Sequence, residues 1–121
     1  HSGLEVSVTL HPAEADTGVT FVRTNAGEGR DCEIPANYRH VHATDLCTAV
    51  GMEGITVATV EHLMAALSAL DIDNAMVEID GPEVPVMDGS AGAFIEAVDH
   101  AGTAGLDAPV RYIKVVKPVR I

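Results

Sequence analysis

Long apolar runs are missing from this 121-residue chain, and none approaches the roughly 18 residues a membrane-spanning helix needs. No charged-then-apolar leader opens it, so nothing reads as a secretory signal. Cysteine is scarce. Cys32 and Cys47 form no C-x-x-C motif and are too few for a disulfide scaffold, so the expected setting is a reducing, cytoplasmic compartment. Positive charge is outweighed, with 7 Lys and Arg against 18 Asp and Glu and a net charge of −11. A surface of that sign cannot displace the counterions of a nucleic-acid backbone, which excludes DNA or RNA as the expected partner. The glycine fingerprints G-x-x-x-x-G-K-[ST] and G-x-G-x-x-G are absent, and so is the H-E-x-x-H of helical zinc sites.

What remains is ample for one domain. Hydrophobic residues make up 47% of the chain, and a chain of this length buries roughly two-thirds of its unfolded surface. Four of the cations, Arg111, Lys114, Lys117 and Arg120, fall in residues 111–121, which contain no acid. That basic end reads either as a strand set against an acidic body or as a run toward further chain.

Alternation marks Glu5–Leu10 and Val19–Arg23 as a half-buried antiparallel pair joined by a turn over His11–Gly18. A glycine-bearing loop follows from Asn25 to Arg30, then an irregular, histidine-rich stretch over 31–45. Leu46–Val50 and Gly54–Val57 read as short strands around a Gly-Met-Glu-Gly turn. A helix follows with Thr59 as its expected N-cap, and Val60, Leu63, Met64, Leu67 and Leu70 share one face. Asn74–Asp80 is an expected strand. A second helix, after the Asp88-Gly-Ser turn and cap, buries Ala91, Phe94, Ile95 and Val98 and ends near Gly102. His100 lies at its carbonyl end, where a cation is favoured. Arg111–Val116 reads as the last strand. The order predicts an α+β, two-layer sandwich, a mixed β-sheet with two main helices packed on one face.

Chemistry concentrates at Glu61-His62. At 100° per residue both point away from the apolar stripe of their helix. A solvated helix face would explain such a pair. Yet they occupy the first turn, where unpaired N–H groups and the helix dipole favour a carboxylate and a neutral imidazole. Those are the forms that a general base and a metal ligand require. A catalytic zinc needs three protein ligands, and spacing alone supplies one ligand and one base. His40 and His42 alternate along an extended stretch and are the remaining candidates to contribute. Cys47 reads as a small hydrophobe in a strand.

Two segments are far from generic: Thr59-Val-Glu-His-Leu-Met-Ala-Ala-Leu67 and Gly81-Pro-Glu-Val-Pro-Val-Met-Asp-Gly-Ser-Ala91. They resemble the motifs of the UDP-3-O-acyl-N-acetylglucosamine deacetylases, zinc enzymes that commit Gram-negative bacteria to lipid A biosynthesis. His1-Ser-Gly3 and Leu46-Cys-Thr48 resemble two further segments of that family, in family order. The resemblance implies a two-domain protein of which residues 1–121 are the N-terminal domain. It implies Glu61 as general base and His62 as a zinc ligand. The other two ligands, a histidine and an aspartate, would come from an H-x-x-x-D helix of the second domain, as would a general-acid histidine. It further implies that His1 contacts substrate near the diphosphate, and that Leu46 and Cys47 line the acyl side of the cleft. The expected reaction is hydrolysis of the N-acetyl group of a UDP-linked acylated glucosamine, with this chain inactive alone. The competing expectation is a non-catalytic α+β binding domain. A binding module of the ribosomal-protein kind would need a basic face, and the three cations among 18 acids over residues 1–110 oppose it.

Overall fold

Strands whose alternate residues are apolar can bury one face and leave the other wet, and four segments here do so around a shared core. The computed structural model describes residues 2–26 and 29–121. Strands β1 (Val8–Pro12), β2 (Val19–Ala26), β3 (Arg30–Pro35) and β7 (Ala75–Ile79) form a sheet in the order β1-β7-β2-β3. β7 runs parallel to β2 and antiparallel to β1, and β3 is antiparallel to β2. Three short strands, β4 (Val41–Ala43), β5 (Ala49–Met52) and β6 (Ile55–Val57), form a second, antiparallel sheet. A 3₁₀ turn at Tyr38–His40 leads into it. The helices are α1 (Glu61–Ala69) and α2 (Gly92–Ala101).

One apolar cluster joins these layers. Phe21, Ile34, Val77 and Ile79 from the larger sheet meet Leu63, Ala66 and Leu67 of α1 and Phe94 of α2, with Val50 and Val57 from the smaller sheet. The expected class, mixed sheet plus two helices over one core, is what the chain adopts. Truncating a buried leucine such as Leu67, 1% exposed, removes contacts worth roughly 2–5 kcal/mol.

Several boundaries differ from expectation, each for a local reason. β1 and β2 are not neighbours, because β7 lies between them. Ala75, Val77 and Ile79 are all buried, so β7 takes a central place, and the connection from Pro12 to Val19 readily spans the ~10 Å of a skipped strand. β3, expected to be irregular, alternates after all: Cys32 and Ile34 face inward opposite Arg23 and Phe21. The glycine-bearing loop at Asn25 to Arg30 includes Gly27 and Glu28, which lie outside the described residues. Leu46 and Cys47 precede β5 instead of opening it, since Leu46 adopts a left-handed φ of 61° that no strand permits. Residues 111–116 form no strand, because a lone alternating segment needs a partner edge. Arg111 anchors the start of that stretch, its Nε 2.8 Å from Asp16 Oδ1.

Candidate active site

The site begins at the turn that starts α1. Thr59 has φ 55°, a left-handed conformation unusual for a β-branched residue and costing of order 1–3 kcal/mol. Its neighbours hold it there. The Ala58 amide donates to Pro82 O at 2.9 Å, Val84 N donates to Ala58 O at 3.0 Å, and Val60 N donates to Thr48 O at 3.2 Å. Thr59 is not the cap it was expected to be. The position before α1 is Val60, which has no side-chain cap, and the Thr59 hydroxyl donates instead to Glu83 Oε1 at 2.8 Å.

That geometry delivers Glu61 and His62 into the first turn, both half-buried and outside the core. One carboxylate oxygen of Glu61, Oε2, accepts the Thr48 amide at 3.1 Å. Among the described residues its other oxygen has no protein partner, so the side chain is oriented by one oxygen and open at the other. Among the described residues His62 Nδ1 is shut off from solvent with no hydrogen-bond partner. Among the described residues no three His, Cys, Asp or Glu side chains converge on a common point, so they build no closed metal cage.

The other expected site residues separate into two groups. The Thr48 amide bond brings the Leu46-Cys47-Thr48 segment against Glu61, leaving Leu46 96% exposed and Cys47 a half-buried free thiol. His1 lies outside the described residues, but Ser2, its neighbour in sequence, donates its amide to Glu83 Oε2 at 2.6 Å. His40 and His42 do not join the site as a pair. His40 closes the 3₁₀ turn, its Nδ1 3.0 Å from Asn37 Oδ1, while His42 sits exposed on β4.

Two carboxylates of the loop between β7 and α2 organise its turns, and of these Glu83 was not foreseen. Asp88 Oδ1 accepts the Ser90 hydroxyl at 2.8 Å and its amide at 2.9 Å, and Ser90 Oγ in turn accepts Gly92 N at 3.0 Å, which forms the expected turn, while the position before α2 is Ala91, with no side-chain cap. The bonds from the Ser90 hydroxyl and amide hold the Asp88 carboxyl below its ordinary value of 3.8. Glu83 is 7% exposed and tied to both Ser2 and Thr59. Its one sequence signal is a carboxylate set between two prolines, Pro82 and Pro85, in an otherwise apolar loop.

Comparison with known proteins gives the family. The family model described as UDP-3-O-acyl N-acetylglycosamine deacetylase matches residues 1–121. The UDP-3-O-acyl-N-acetylglucosamine deacetylases of Brucella ovis and Brucella canis are each 48% identical over 121 residues, which is 100% of this chain and 42% of theirs. The chain therefore spans less than half the length of these curated relatives. On the match along its whole length, the chain belongs to the UDP-3-O-acyl-N-acetylglucosamine deacetylase family.

Proposed function

We propose that this chain is the N-terminal domain of a zinc-dependent deacetylase that removes the N-acetyl group from a UDP-3-O-acyl-N-acetylglucosamine, the committed step of lipid A biosynthesis in Gram-negative bacteria. The observation that carries the reading is the Glu61-His62 pair in the first turn of α1, half-buried and outside the core, with one oxygen of Glu61 pinned by the Thr48 amide. His62 would hold the zinc together with two donors from a second domain of the same parent. A zinc ion bound there supplies Lewis-acid polarisation and a lowered pKa for water, toward ~7.

The residues of this chain do the rest of their part by position. Glu61, held through Oε2, takes up the proton of the attacking water on its open oxygen. The acetamide C–N bond breaks, acetate leaves, and the amine departs with a proton from a group of the second domain. Leu46 and Cys47, beside the Thr48 tether, border the acyl chain, and the proposed role of His1 is contact with substrate near the diphosphate. Among the described residues no helix is long and apolar enough to cross a membrane. Both cysteines are free, which supports a reducing, cytoplasmic setting.

The test is made in the full-length protein. Glu61→Ala is expected to lower turnover by ~10²–10⁴-fold with zinc retained, and His62→Ala to lose zinc as well as turnover. Wild-type turnover in Glu61→Ala would overturn the base assignment. Full zinc occupancy in His62→Ala would overturn the ligand.

A further inference from the structure

Glu83 lies where three segments meet. Its Oε1 accepts the Thr59 hydroxyl at 2.8 Å, two residues before Glu61, and its Oε2 accepts the Ser2 amide at 2.6 Å, one residue after His1. The surrounding contacts follow the same path. Ser7 N donates to Asp80 Oδ1 at 2.8 Å, and Asp80 N donates to Ser7 O at 3.4 Å. Val6 covers Gly81 so closely that a Cβ there would collide with it. The N-terminal segment is thus laid along the Asp80–Val84 loop, and that loop is bridged to Ala58. An ionised carboxylate has two acceptor oxygens, so one buried side chain can hold two segments at a fixed separation. A bond from a donor to an ionised carboxylate is also about twice as strong as a neutral one.

We infer that Glu83 is a positioning residue: its carboxylate clamps the left-handed turn at Thr59, and with it the Glu61-His62 pair, to the N-terminal segment that carries His1. This rests on the reading of Glu61 and His62 proposed above. The clamp has two arms with different consequences. The Thr59 arm sets where Glu61 and His62 point, so its loss falls on kcat. The Ser2 arm sets where the N-terminal segment from Ser2 onward lies relative to them, so its loss falls on KM.

The experiment uses the full-length protein with Thr59→Ser, Thr59→Val, Glu83→Ala and the Thr59→Val/Glu83→Ala pair. It measures kcat, KM and amide hydrogen exchange at Thr48, whose N–H is bound to Glu61. Thr59→Ser keeps the hydroxyl and retains most of the activity. Thr59→Val lowers kcat by about tenfold or more with KM unchanged, since a misplacement near 1 Å is enough for such a loss. Glu83→Ala lowers kcat by a similar factor and also raises KM. The double variant is no slower than Glu83→Ala, because both changes remove the same bond. Unchanged kcat in Thr59→Val, or losses that multiply in the double variant, would overturn the clamp. If Glu83→Ala fails to fold, the Ser and Val variants at Thr59 decide the matter by themselves. If the unmodified protein shows no deacetylase activity, the functional reading falls separately. The clamp then stands or falls on Thr48 exchange, which Thr59→Val must accelerate and Thr59→Ser must not.

Discussion

At Asp88 a single exposed carboxylate holds a turn by accepting two bonds from Ser90. Those bonds favour its ionised form and depress its folded pKa below 3.8. A group shifted in that direction contributes stability above its unfolded pKa and loses it as pH falls through the folded one. The window therefore lies on the acid side of 3.8. Replacing Ser90 by Ala should move the carboxyl's NMR titration midpoint upward, toward 3.8, and a midpoint that stays in place would show that Ser90 is not the cause. At this scale the placement of Glu61 and His62 in the first turn of α1 was legible. Glu61 and His62 stood out because their types and first-turn position already suit a base and a ligand. Thr59 was misread because a threonine before a helix is ordinarily a cap, whereas its real partner is 24 residues away. Nothing local announces such a bond.

Among the elements, the approach of Val6 to Gly81 sets how the N-terminal segment lies on the loop after β7. Gly81→Ala places a methyl group into the Val6 side chain and should cost about 1–3 kcal/mol in chemical denaturation. Adding Val6→Ala should recover part of it, and a double variant no more stable than the single would refute this contact as the reason. Both helices were readable from periodicity, with α2 ending at Ala101, just before Gly102, near where it was expected. The order of the strands was not readable, because alternation gives the face of a strand and not its neighbour. Arg111–Val116 carried a strand pattern without an edge to join, so pattern alone overstated it.

For the whole molecule, one apolar core forms within this chain, whereas on the proposed reading the reaction centre is shared with further chain. A catalytic zinc site needs three protein ligands, and the described residues bring no such group together. The isolated 121-residue chain is therefore expected to retain less than one zinc per molecule after dialysis and to show no deacetylation. Tight one-to-one zinc measured by metal analysis would contradict that. The α+β class and the family were legible because two long motifs and their order are specific, and the paired sheets were not, because β4, β5 and β6 are only three or four residues long.

The place of β7 between β1 and β2 also has a consequence for biogenesis. The first two strands leave the ribosome roughly fifty residues before the one that unites them. Until Ile79 has emerged, Val8 and Leu10 on one side and Phe21 on the other have no common neighbour, and nascent chains shorter than this carry apolar edges that invite chaperones or wrong partners.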